Sequence, residues 1–498
     1  MANISKIEKA VDMDGKPYNR ILLMITLVAG AFATFIAGTM LGTAYPTLMH
    51  DFNISTDTVQ WLSTGFMLIS GVMIPITAWL MNRFNSKWLY IVGMAIFLIG
   101  NIISLFAKTF PVLLGGRLFS AIGVGVTVSL SQSILLYIFP PEKRGMVMGI
   151  NGIAVGLAPA IGPTLSGWII DTFNWRVIFG IVVIFVAIDL IAAFFFMRKV
   201  MPTSDIKLDY LSAILSFSGF GLLLYGVSEA GDLGWGNAVV ISTIVIGVIL
   251  IAAFCWRQLK LKEPFLEIRL LSNWHFTLAS IIGAIARVAL VGVELVLPMY
   301  IQIVRGESAF HSGLILLPGA ILIGLMSPIA GSLFDKIGAK KLVISGLILL
   351  VLGTMNFVTV TTDTPLIEII GLYAIRMIGV ALTLMPVTTA GMNALPTSKI
   401  NHGTAINNTF RQVTGSIGTA IFTTILTNVT NSMKPSAALL HYAPLAYKHQ
   451  FINASLNGYR ASFFAALVVG AAGIIISLFL QKNAGLVKSS DIDKKEAK

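Results

Sequence analysis

Long apolar stretches joined by short polar ones set the pattern of this chain. Fourteen reach the roughly 20 residues a helix needs to cross a bilayer, beginning near Ile21, Thr58, Trp88, Phe110, Met146, Val177, Tyr210, Ala238, Phe276, Ser312, Leu342, Leu366, Thr404 and Ala461. In hydrocarbon every backbone N–H and C=O must be paired within the protein, so each stretch predicts a helix. The first follows the polar, basic MANISKIEKAVDMDGKPYNR and is about twice as long as a signal-peptide core, which marks it as a retained span. The thirteenth is the least apolar: Asn407, Asn408, Arg411 and Gln412 require its first half to face protein or water.

Composition agrees, and charge adds direction. Hydrophobic residues make up 56% of the 498 and charged residues 11%, where a soluble chain carries about 25% charged. The net charge of +12 forms no basic stripe of the kind nucleic acid requires, because Lys and Arg are scattered between apolar runs. It marks topology instead. The amino tail and every second loop are basic, through Arg83 and Lys87, Lys143 and Arg144, Arg198 to Lys207, Arg257 to Arg269, Lys336 to Lys341, Lys399 and the tail from Lys482. The other loops hold only Lys108, Arg176, Arg305, Lys434, Lys448 and Arg460, so the positive-inside rule places both termini in the cytoplasm. The longest outer segment, about 428–460, is too short for a catalytic domain. A single cysteine, Cys255, excludes a disulfide framework and a cysteine metal cluster.

The chain also repeats itself. AWLMNRFNSK at 78–87 returns as GSLFDKIGAKK at 331–341, a shift of 253, and an intramembrane arginine follows each copy, Arg117 and then Arg376, a shift of 259. The expected architecture is an all-α integral membrane protein of 14 helices. It comprises a tail at 1–20, six-helix bundles at 21–200 and 271–481, two inserted helices at 201–270 and a tail at 482–498.

Further stretches follow in order: GLAPAIGPTLSG at 156–167, WRVIF at 175–179, LPMYIQ at 297–302, RMIGVALTLMPVTTAGMNALP at 376–396 and NNTFRQVTGSIGTA at 407–420. Together with the two loops they resemble the major facilitator superfamily, and within it the fourteen-span drug/proton antiporters, over nearly the whole chain. The resemblance implies the major facilitator fold in a bacterial cell membrane, monomeric, with two bundles rocking about a central site lined by spans 1, 4, 9 and 12.

The motifs have physical readings. Gly156, Ala158, Gly162 and Gly167 let helices approach, and Pro159 and Pro163 bend the span; in the resembled family this segment marks exporters. In the second loop Gly331 and Gly338 permit close approach and a tight turn. Asp335 there can accept hydrogen bonds from a helix amino terminus across the bundle interface, forming a latch, while Lys336 and Lys340 add inside-positive charge. The first loop keeps Arg83 and Lys87 but has Asn82 in place of the acid, so a weaker latch is expected there.

Six charges fall inside spans: Arg117, Asp189, Arg287, Glu294, Arg376 and Arg411. Each costs about 2.5–3.5 kcal/mol on the insertion scale, which makes each a functional candidate. The resemblance puts Arg117, Arg287, Glu294 and Arg376 on cavity spans. Seven residues separate Arg287 from Glu294, so they share a face about 10 Å apart along the axis. Glu294 is the expected proton-coupling acid and Asp189, on a peripheral span, the second; Ala37 stands where related antiporters carry an acid or amide. Arg411 is expected to anchor a gate, and Trp61 and Met299 to line an adaptable apolar cavity.

No nucleotide-binding loop of Walker type is present, and no cofactor or metal is expected, so energy must come from a gradient. An inward proton supplies about 2.3 kcal/mol per 100 mV. The expected function is proton-coupled efflux of small amphipathic drugs or xenobiotics, the partners being that solute, protons and the bilayer. The same fold exporting one metabolite, such as a bile acid, peptide or siderophore, is the alternative. An integral-membrane enzyme would need reactive groups gathered at one face, and His441 and His449 lack acidic neighbours.

Overall fold

A computed structural model describes residues 10–481 apart from 232; the expected tail at 482–498 and residues 1–9 of the amino tail lie outside the described residues. The described chain opens with a hairpin, β1 (Ala10–Val11) paired antiparallel to β2 (Pro17–Tyr18). Met13 N–H donates to the Lys199 carbonyl at 2.9 Å and ties this hairpin to the end of the first bundle.

That bundle comprises α1 (Arg20–Thr39), α2 (Tyr45–Phe52), α3 (Thr56–Arg83), α4 (Ser86–Leu105), α5 (Phe110–Ile138), α6 (Arg144–Thr172) and α7 (Arg176–Phe196). The first span tightens into a 3-10 turn at Met40–Ala44 between α1 and α2. Two inserted helices follow, α8 (Tyr210–Glu229) and α9 (Ala238–Lys260). The second bundle holds α10 (Trp274–Ile303), α11 (Ala309–Ile337), α12 (Ala339–Met355), α13 (Leu366–Asn393), α14 (Ile400–Ser432), α15 (Ala437–Tyr442) and α16 (Pro444–Ser477). Asparagine caps recur where the chain enters a helix: Asn19, Asn85, Asn237 and Asn273 each accept from first-turn N–H groups.

Among the described residues thirteen helices are long and apolar enough to cross a membrane. The fourteenth, α14, is not, yet it is a continuous helix whose residues 400–409 are all buried, packed among α3, α5, α8, α10 and α16. Its polar side chains face protein rather than lipid.

The outer segment at 428–460 requires correction. It is not a loop: α14 runs to Ser432, and α16 starts at Pro444, well before the expected Ala461. Hydropathy finds where a helix enters lipid, whereas LAYKHQFINASLNGYR is polar and still supports a helix that continues beyond it.

Each bundle has its own apolar core, one running from Leu23 to Met201 and the other from Leu278 to Leu480. A third cluster, including Ala78, Leu136, Met148, Phe276, Met392 and Ile406, joins the two at the basic end. The repeat is visible in the packing. A Cβ on Gly123 would strike the Gly93 carbonyl between α4 and α5, and one on Gly379 the Gly346 carbonyl between α12 and α13.

Candidate functional site

The two repeated arginines are buried and tied to the first span of their own half. Arg117, on α5, donates from Nη1 to the Ala37 carbonyl of α1 at 3.3 Å and lies 4.0 Å over the Phe66 ring; its Nε and Nη2 find no protein partner. Arg376, on α13, donates from Nη2 to the Ala289 carbonyl of α10 at 2.6 Å and to that of Leu290 at 3.3 Å, and from Nε to Thr354 Oγ1 at 3.2 Å. Both guanidiniums hold a helix in place through its carbonyls.

The other charges of the second half are not engaged in this way. Among the described residues Arg287, Glu294 and Arg411 make no hydrogen bond and no ion pair, and each keeps accessible surface although it lies mid-span. On α10, Arg287, Val291, Glu294 and Pro298 recur at helical spacing and all retain accessible surface, which defines one face. Ile285, Val288 and Gly292, by contrast, pack on α16 and α14 through Gly473, Gly418 and Phe422. A Cβ on Gly415 would lie 3.6 Å from Arg287 Nε, so this guanidinium runs along α14 one turn beyond Arg411, and the two cations interact. Arg287, Arg376 and Tyr373 are the ionisable groups that reach Glu294. Met299 lies off this face and is 37% exposed one turn from the end of α10, while Trp61 stacks on Tyr225 of α8 at 5.8 Å.

The basic end is closed. Residues 400–409 of α14 and 383–393 of α13 are all buried, and accessible positions reappear on α14 from Phe410 onward. Asp335 accepts from the N–H groups of Gly145 and Met146, each at 2.9 Å, where α6 begins. A Cβ on Gly331 would collide with the Gly145 carbonyl, so the helices touch backbone to backbone; Gly338, at φ +77°, makes the turn that follows. At the equivalent place in the other half Asn82 meets side chains instead. Its Oδ1 accepts from Asn401 Nδ2 at 2.8 Å and its Nδ2 lies 3.0 Å from His402 Nε2. His402 Nδ1 accepts from Glu267 N–H at 3.3 Å, and the Glu267 carboxylate binds Lys399 at 3.0 Å and Arg269 at 3.1 Å. Burial pushes the Glu267 carboxyl up, but the hydrogen bond and charge of Lys399, with Arg269 and His402, outweigh it and hold it below its usual value. Arg144 to Asn393, 3.2 Å, and Asn408 to Ser129 and Gln132, 3.1 and 2.9 Å, complete the closure.

Arg83 pairs with Asp205, Lys87 donates to the Phe194 carbonyl at 2.8 Å and Lys340 to that of Leu478 at 2.7 Å; among the described residues nothing ties Lys336 to a partner. Asp189 is buried on α7, its Oδ2 accepting from Tyr90 Oη at 2.9 Å. In α6, Gly156 faces Ile323 of α11, Gly162 faces Thr39, Gly167 approaches Phe310, Ala158 is buried, and Pro159 and Pro163 sit within the helix. Among the described residues Arg411 makes no hydrogen bond at this end, whereas Asn401, His402 and Asn408 do. Sequence reasoning marked Asn408 only as a residue facing protein or water and missed Asn401, His402, Glu267 and Gly145, although the starts of α6 and α14 are repeat equivalents that the loop shift of 253 would have located.

Comparison with known proteins fits this geometry. Residues 27–419 match the Major Facilitator Superfamily. The MFS-type transporter YcnB of Bacillus subtilis is 44% identical, covering 94% of this chain and 97% of its own. The lincomycin resistance protein LmrB of the same organism is 37% identical over 93% and 96%. Among solved structures, the proton:xylose symporter XylE superposes with a TM-score of 0.62 at 15% identity, covering 94% of this chain and 97% of that one. With two repeated bundles, an arginine tying each to its first span and a glycine-lined loop at one closed face, the chain belongs to the Major Facilitator Superfamily and is a multi-pass transporter of the bacterial cell membrane.

Proposed function

We propose that this transporter exports small amphipathic compounds in exchange for protons, with Glu294 as the exchanging acid. The observation that carries the reading is that Glu294 sits mid-span with accessible surface and no hydrogen bond or ion pair among the described residues. Such a carboxylate can take a proton from one side and give it to the other. Asp189 is already bonded to Tyr90, which leaves it the lesser candidate. Resemblance to a lincomycin resistance protein supports export over uptake. The latches at Asp335 and Asn82 hold the basic end shut, and their release would expose the site to the cytoplasm.

Glu294→Gln keeps size and hydrogen-bonding capacity but cannot ionise. In proteoliposomes with an imposed pH gradient it is expected to bind a neutral dye normally and to lose uphill efflux, while downhill exchange persists. An unchanged pH-driven gradient in the variant would remove Glu294 and make Asp189 the next acid to test.

A further inference from the structure

We infer that the central site selects amphoteric solutes, in which an anionic group is held by Arg287 and Arg411 and a cationic group about 10 Å away engages Glu294. The inference rests on Glu294 as the exchanging acid and adds the chemistry of what displaces its proton. Three observations lead to it. First, the Arg287 guanidinium lies against Gly415, one helical turn from Arg411 on α14, so two like charges share this stretch, and neither has a carboxylate, carbonyl or amide partner among the described residues. Second, neighbouring polar groups are already occupied: Gln412 donates to the Met67 carbonyl at 3.1 Å, and Asn408 is taken up by Ser129 and Gln132. Third, Glu294 lies two turns from Arg287 on the same face of α10; Tyr373 and Arg376 of α13 also reach it, but Arg376 is already bound to Ala289, Leu290 and Thr354, which leaves Arg287 and Arg411 as the cations without an acceptor.

Linkage decides between solute classes. A purely anionic solute would bind better once Glu294 is protonated, because the site is then more positive; solute and proton would travel together, the opposite of exchange. A purely cationic solute competes with the proton but leaves both arginines unmatched. An amphoteric solute satisfies the arginines and still competes with the proton at Glu294.

The test uses three coumarins of one shape. 7-(Piperazin-1-yl)coumarin-3-carboxylic acid is the zwitterion, its methyl ester the cation, and 7-(morpholin-4-yl)coumarin-3-carboxylic acid the anion. Efflux from proteoliposomes under an imposed pH gradient is expected to be fastest for the zwitterion. Arg411→Gln should lower the zwitterion-to-ester efflux ratio about tenfold, and Arg411→Lys should restore part of it. Equal efflux of the three coumarins by the wild type, or an unchanged ratio in Arg411→Gln, overturns the amphoteric assignment; if a neutral dye is still driven by the pH gradient, the exchange reading survives. Absence of pH-driven efflux for every probe, the neutral dye included, overturns both.

Discussion

The two halves solve one mechanical problem with different bonds. Each buries an arginine against the first span of its bundle, but Arg376 makes three hydrogen bonds, to Ala289, Leu290 and Thr354, while Arg117 makes one, to Ala37, and rests on the Phe66 ring. Each closes the basic end with a residue in the last turn of its second span, but Asp335 caps the backbone of α6 while Asn82 bonds to the side chains of Asn401 and His402. A carboxylate on a helix amino terminus is a charge-assisted contact, stronger than an amide pair. Duplication preserved the positions; the chemistry diverged. The second half is the more firmly fixed, and it also holds the free charges Arg287, Glu294 and Arg411.

Removing either arginine should have the largest effect. Both alanine variants should abolish transport, but Arg376→Ala should destabilise the folded protein by about 3 kcal/mol or more and Arg117→Ala by about half of that, given their bond counts. Thermal unfolding in detergent at equal expression measures the difference, and equal losses would mean that bond count is not what distinguishes them.

Asp335→Asn should raise the accessibility of a cysteine placed beneath the basic end about five- to tenfold, and Asn82→Ala about two- to threefold, since the amide contact is neutral. Restoring an acid with Asn82→Asp should not reproduce the Asp335 cap, because Asn82 faces side chains rather than free N–H groups.

The smallest expected effect is in pH dependence. Glu267 is held below its usual value, so its contribution is complete above the unfolded value of about 4.3 and is lost only as pH falls through the lower folded value. Closure at this point should therefore be flat between about pH 5 and 8. Lys399→Ala should move the loss toward higher pH, and a step near neutrality that disappears in Glu267→Gln would contradict the assignment.

Spans and repeat were legible in the sequence because both are written in hydropathy and in turn residues of fixed spacing, as in the two loops at 78–87 and 331–341. The start of α16 was not, since polar residues such as Lys448 and Asn453 hide a helix that hydropathy reads as loop. The six intramembrane charges were equally visible, but not which were engaged: nothing in the spacing distinguishes Arg376, bound to three acceptors, from Arg411, bound to none. Nor could spacing show that Asn82, His402 and Glu267, from three separate segments, meet in one network.

The polar character of α14 has a further consequence, for biosynthesis. A helix carrying Asn407, Asn408, Arg411 and Gln412 partitions poorly from the translocon into lipid by itself. It packs against α16, which follows after only the short α15, and against α10, which has been made already. The nascent chain therefore gains a membrane-stable α14 when α16 has emerged to cover it, and the last apolar helix acts as the chaperone of the one before.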